Sequence, residues 1–121
     1  NNPKVVVFGL TFKEDTPDFR NSKIINMIEE LNEYGIEPLV VDPYMEAFRP
    51  DLENIKATYT STIDEVGRDI DVLVYSVNHK QFKEINDDKF LKLLNEKHAI
   101  IVDLKNRFKQ YENSEVSYWS L

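Results

Sequence analysis

The 121-residue chain contains no cysteine, and that one absence removes disulfides, thiolate metal sites and thiol nucleophiles together. Long apolar runs are also missing, so no segment is predicted to span a bilayer. Basic residues are outnumbered, 15 Lys and Arg against 22 Asp and Glu, which leaves a net charge of −7. Nucleic-acid binding needs a basic footprint that this balance does not supply. A polyanionic ligand would have to be held by a few placed cations and by backbone N–H groups. The opening residues NNPK lack the basic-then-apolar order of a signal peptide, so a cytoplasmic location is expected. The glycine fingerprint G-x-G-x-x-G is absent too. Gly9 stands alone, and the second and third glycine positions hold Thr11 and Glu14. No P-loop occurs either.

What is present describes one globular domain. The length suffices for a real core, and 41% hydrophobic with 31% charged residues suits a soluble surface around it. Val5, Val6, Val7 and Phe8 form an apolar run without polar alternation, the pattern of a strand buried on both faces of a parallel sheet. Gly9 and a polar loop follow, containing Thr11, Lys13, Glu14, Asp15, Thr16, Pro17 and Asp18. Ser22 is predicted to cap a helix whose Ile24, Ile25, Ile28 and Leu31 recur at helical spacing, with Gly35 ending it. Strand, glycine-led loop and helix start make the usual place for such a sheet to hold a phosphate.

Leu39, Val40 and Val41 read as a second strand closed by Asp42-Pro43. Residues 44–54 read as a loop with one helical turn at most, and residues 56–59 as a third, edge-like strand. Thr62 and Glu65 have capping-box spacing for a brief helix ended by Gly67. Residues 71–77 form the fourth strand, and Asp87 is expected to cap a helix that turns Phe90, Leu91 and Leu94 inward. AIIVD at 99–103 is the fifth strand, and Val116, Tyr118 and Trp119 alternate as a last edge strand does. The predicted fold is therefore α/β: a Rossmann-like, doubly wound, mainly parallel sheet of five to six strands with helices on both faces. Ligands of such sheets bind outside the carboxyl ends of the strands. The loops there are 11–21, 42–44, 78–82 and 104–107.

The stretch GLTFKEDTPDFRNS, with the DPY after the second strand, resembles the C-terminal UDP-binding domain of the UDP-glucose / UDP-N-acetylhexosamine (ManNAc, GlcNAc, GalNAc) 6-dehydrogenase family. That domain opens with a strand and G-x-x-F-K-x-x-T-x-D-x-R-x-S, and Gly9, Phe12, Lys13, Thr16, Asp18, Arg20 and Ser22 match every fixed position. The likeness extends over essentially the whole chain. It implies that Phe12 and Lys13 contact a UDP-sugar, the lysine beside the diphosphate, and that Arg20 reaches toward bound NAD. Lys105 falls where the family has a basic residue on the substrate, with Arg107 as the other candidate. The family oxidises the sugar C6 alcohol twice with NAD, through a thiohemiacetal on a cysteine, on the way to surface polysaccharide precursors. The resemblance implies that residues 1–121 are the UDP-binding domain alone, without the N-terminal NAD domain and the central domain. Such a piece binds nucleotide and catalyses nothing by itself. Family members are dimers or larger, so a homo-oligomer is implied, with no nucleic acid or membrane as partner.

Seven further residues carry readings of their own. His79, in SVNHKQF after the fourth strand, could face the ligand, although a lone histidine is commonly structural. Its V-x-H-x-x-F setting and the ending YWSL resemble the family branch acting on UDP-N-acetylhexosamines. His98 lies at the opposite end of the sheet and reads as structural. Asp42 stands where NAD-binding sheets hold a ribose, but without the glycine fingerprint a turn role with Pro43 is preferred. Asp64, Glu65, Asp87 and Asp88 read as helix-start charges, and no cluster has metal-ligand spacing. Two other classes remain open: a non-catalytic assembly module using a sheet edge or Tyr118-Trp119, and a receiver-like signalling domain. A receiver wants an acidic pair after the first strand and an acceptor Asp after the third. Gly9-Leu10 and Thr60 stand there instead.

Overall fold

The computed structural model describes residues 2–11, 13–16, 22–48 and 55–120. Six strands, β1 (Val5–Phe8), β2 (Leu39–Val41), β3 (Thr58–Thr60), β4 (Val72–Tyr75), β5 (Ala99–Asp103) and β6 (Val116–Ser120), form one sheet in the order β3-β2-β1-β4-β5-β6. Every pairing is parallel, so the sheet is all-parallel rather than mainly so. The expected sixth strand is present as β6. A receiver-type sheet runs 2-1-3-4-5, so this order excludes that reading.

The unbroken apolar runs explain why β1 and β4 lie centrally. Val6 and Phe8 enter one core layer with Leu73, Tyr75, Phe82, Phe90 and Phe108. Val5 and Val7 enter the other with Ile24, Ile28, Val40 and Met45. The helix α1 (Lys23–Glu33) and the single turn α2 (Met45–Phe48) belong to the second layer, while the short helices α3 (Lys80–Lys83) and α4 (Asp87–Leu91) cover the first. Ser22 caps α1 as expected, its Oγ accepting the Ile24 N–H at 3.2 Å. At the other end Gly35 (φ +79°) donates to the Asn32 carbonyl and Ile36 to that of Leu31, the paired bonds of a Schellman stop.

Local departures have local causes. Residues 62–67 make a single 3-10 turn (Ile63–Glu65) instead of a helix. Thr62 caps it, but the Glu65 carboxylate accepts from the Thr60 hydroxyl instead of completing a capping box. Asn86, not Asp87, is the N-cap of α4; Asp87 lies in its first turn, where its negative charge suits the helix start. β4 is shorter than predicted because the chain leaves regular pairing at Ser76, whose Oγ donates to the Phe8 and Gly9 carbonyls. Among the described residues no helix is long and apolar enough to cross a membrane.

Candidate functional site

The strand order reverses between β1 and β4, so the loops leaving those two strands lie side by side at the carboxyl edge. The loops after β2 and β5 flank them. Three of the six buried polar side chains among the described residues, Thr11, Asp42 and His79, meet at this edge, and Asp103 lies at the end of neighbouring β5. Buried polar groups need partners, and the partners are what shape the site.

Asp42 is fully buried at the end of β2. Its Oδ2 accepts from the backbone N–H of Leu10 at 2.8 Å and lies 3.3 Å from His79 Nε2; its Oδ1 accepts from Tyr44 N–H at 2.9 Å. The turn role with Pro43 is thus half of the truth. The same carboxylate also ties down the loop after β1. It has no face left for a ribose. With Thr11 and Glu14 in place of glycines, this sheet does not fit a dinucleotide in the usual cradle.

His79 shows no solvent exposure and does not reach a ligand surface. The ring packs against Tyr44 (centroids 5.0 Å apart) and Phe82 (5.5 Å). Nδ1 accepts the Asp15 N–H at 2.9 Å, which assigns the proton to Nε2, 2.8 Å from Thr11 Oγ1. Thr11 Oγ1 donates in turn to the Lys13 carbonyl at 3.1 Å. Asp15, in left-handed backbone (φ +60°), receives the Lys80 N–H on its carboxylate.

Lys13 emerges from this clamped loop into solvent, and its ammonium has no ion-pair partner among the described residues. Across the edge, Lys105 Nζ lies 4.0 Å from Glu14 Oε1, with both side chains well exposed (38% and 44%). The two predicted lysines therefore stand on loops that meet. Phe12 and Arg20, together with Asp18, fall outside the described residues.

Arg107 is otherwise occupied. Its Nε donates to Asp87 Oδ1 at 2.9 Å, and its two terminal nitrogens donate to Tyr75 Oη and to the Phe82 and Ile85 carbonyls. The guanidinium carbon lies 4.6 Å from the Phe90 ring centroid and 5.2 Å from those of Tyr75 and Phe108. An arginine so fully engaged is a strut. Lys105 is the cation that the loop after β5 offers outward.

That loop has its own buried organiser, which sequence reasoning missed. Asp103 Oδ1 accepts the Lys105 N–H at 3.2 Å, while Oδ2 accepts the Phe108 N–H at 2.6 Å and the Tyr118 hydroxyl at 2.9 Å. The Tyr118 hydroxyl is pushed up to about 12, first by burial and then by donating to the Asp103 carboxylate. A pKa raised above the unfolded value near 10 gives stability that is whole below about pH 10 and lost as pH rises through about 12. Stability should therefore fall across that window, and Tyr118→Phe should reduce the fall. Urea midpoints at about pH 8 and about pH 11 check this; equal alkaline losses in both proteins would sink it.

A doubly wound sheet with a clamped first loop and two lysines at its carboxyl edge defines a Rossmann-like nucleotide-binding domain without a dinucleotide cradle. Comparison with known proteins gives the family. Residues 6–110 match the model of the UDP-glucose/GDP-mannose dehydrogenase family, UDP binding domain, and the chain belongs to that family. It is 35% identical over 118 residues to protein CapL of Staphylococcus aureus, covering 97% of this chain and 27% of CapL. It is 32% identical over 103 residues to a UDP-N-acetyl-D-glucosamine 6-dehydrogenase of Salmonella typhi, covering 84% of this chain and 23% of that enzyme. Among solved structures it resembles the UDP-N-acetyl-mannosamine dehydrogenase Cap5O of S. aureus, with a TM-score of 0.64 and 29% identity. That match covers 99% of this chain and 26% of that one. The chain thus spans about a quarter of the length of the relatives it matches.

Proposed function

We propose that this chain is the UDP-sugar-binding domain of an NAD-dependent UDP-sugar 6-dehydrogenase, and that Lys13 and Lys105 hold the diphosphate. One observation carries the reading. The Lys13 and Lys105 loops converge at the switch point of the sheet, while Arg107 is withdrawn into the aromatic core. The contact of Lys105 with Glu14 is long and exposed, a pair worth well under about 1 kcal/mol, so an arriving diphosphate displaces it at little cost. Phe12 supplies an apolar wall beside the sugar nucleotide, and Arg20 reaches toward NAD held by another domain of the same enzyme. The substrate favoured by the V-x-H-x-x-F setting and by the names of the relatives is a UDP-N-acetylhexosamine, oxidised at C6 to the uronic acid for surface polysaccharide precursors. Residues 1–121 act as one domain of a cytoplasmic homo-oligomer, and the cysteine chemistry of oxidation belongs to a part of the enzyme other than this cysteine-free chain.

A titration with UDP, and separately with ADP, followed by amide shifts tests this reading. Shifts at Lys13 and Lys105 are expected, with UDP preferred. A charge-assisted hydrogen bond contributes about 1.5–3 kcal/mol, so Lys13→Ala or Lys105→Ala should each weaken UDP roughly 10- to 100-fold. The unfolding midpoint should stay where it is. Undiminished UDP affinity in both variants, or no shift at millimolar UDP, overturns the proposal. A second reading, assembly through the β6 edge, draws on Trp119, a residue 65% exposed there; it is compatible with nucleotide binding.

A further inference from the structure

The geometry points to His79 as a positioning residue for nucleotide binding: buried and out of reach of any ligand, it holds the loop at Thr11 and at Asp15 so that Lys13 is presented in one conformation. The inference rests on the reading that Lys13 meets the diphosphate. Three contacts support it, two of the ring and one that relays them. Both nitrogens are used, and both reach the same loop from the segment after β4: Nδ1 takes the Asp15 N–H, and Nε2 serves Thr11 Oγ1 beside Asp42. These contacts bracket Lys13 in sequence, two residues before it and two after. A third contact, from Thr11 Oγ1 to the Lys13 carbonyl, carries the restraint onto Lys13 itself.

The ring is also held firmly enough to act as a template. Tyr44 and Phe82 pack on it, and Asp42 bonds both to it and to Leu10 at the root of the loop. Its tautomer follows from its partners, since a proton on Nδ1 would point at the Asp15 N–H. The restrained segment is exposed from Lys13 to Asp15, so solvent offers its backbone no competing packing. Without the clamp the loop samples several arrangements. Affinity then falls in proportion to the fraction of molecules that remain competent, and a tenfold drop in that fraction gives a tenfold weaker complex.

Three variants of the chain test the inference: His79→Ala, His79→Asn, and His79→Ala combined with Lys13→Ala. Each is measured for UDP affinity, amide hydrogen exchange and unfolding midpoint. His79→Ala should weaken UDP about tenfold and speed exchange at Asp15, while the amides of β1 and β4 stay protected. His79→Asn, whose side-chain oxygen falls near the place of Nδ1, should recover Asp15 protection and part of the affinity, and it also serves if the alanine variant folds poorly. Because His79 acts through Lys13, the double variant should bind no more weakly than Lys13→Ala alone. Additive losses, or unchanged exchange at Asp15, overturn the inference. Should Lys13→Ala itself leave UDP binding intact, the diphosphate reading fails and the binding consequence of His79 with it. In that case faster Asp15 exchange in His79→Ala would show the clamp alone to be real.

Discussion

Asp42→Ala is expected to cost this domain about 3–5 kcal/mol, a large part of the roughly 5–15 kcal/mol that a domain of this kind has in total. The reason lies in how many donors converge on one carboxylate. The backbone N–H groups of Leu10 and Tyr44 point at it from two different loops, at 2.8 and 2.9 Å, and the Thr11 N–H approaches at 3.4 Å. Alanine leaves these groups facing a dry gap, and a buried donor without an acceptor costs about 1–3 kcal/mol. His79 suffers less, because Thr11 Oγ1 stays within reach of Nε2. Asp42→Asn should be milder, since its amide oxygen still serves one donor while its NH2 group opposes another. Urea unfolding of both variants decides the matter. A loss below about 1 kcal/mol for the alanine variant would mean that the convergence is geometric only.

Much of the scaffold that aims these donors can be read directly from the chain. Val5–Phe8 and Leu39–Val41 begin and end where their apolar runs do, and Ala99–Asp103 adds only the buried Asp103 to its run, because a parallel strand covered on both faces has no polar alternation to blur its limits. Ser22 and Gly35 likewise act within their own neighbourhood, and local chemistry is enough to find them. Asp42 is different. Its turn with Pro43 and Tyr44 is local and legible, whereas its bonds to residues 10 and 79 exist only because the sheet lays β2 beside β1 and β1 beside β4.

The choice between Lys105 and Arg107 fails to resolve in sequence for the same reason. Both follow β5 by a few residues, and either could face a phosphate. What separates them is an aromatic cage assembled from Tyr75, Phe90 and Phe108, with a carboxylate from Asp87 at its rim. No spacing rule within the loop records that cage. His79 gave a fainter signal: an isolated histidine after a central strand, in a position where it could have faced outward. Its full burial, with both nitrogens bonded, turns that position into a support for the loop opposite.

Gly9→Ala is expected to be as severe as the loss of Asp42, at about 3–5 kcal/mol, and for steric reasons. Gly9 has φ +105°, a conformation that costs a side-chain-bearing residue about 1–3 kcal/mol by itself. A Cβ there would also lie 2.1 Å from Val77 Cγ1 and 2.9 Å from Ser76 Oγ. Neither neighbour retreats easily, since Val77 is buried in the core and Ser76 Oγ bonds the Gly9 carbonyl. The glycine is held on its other side as well, its N–H donating to the Val41 carbonyl at 2.8 Å. Strain therefore has to spread into the β1 and β4 loops, the two that bring His79 and Lys13 together. Combining Gly9→Ala with Val77→Ala separates the causes. Removing the opposing methyl groups should make the pair less damaging than the sum of the singles by about 1 kcal/mol or more, while the backbone contribution persists. Strict additivity in urea unfolding would assign the whole loss to φ. In that event UDP affinity in the folded fraction should remain close to that of the unsubstituted chain.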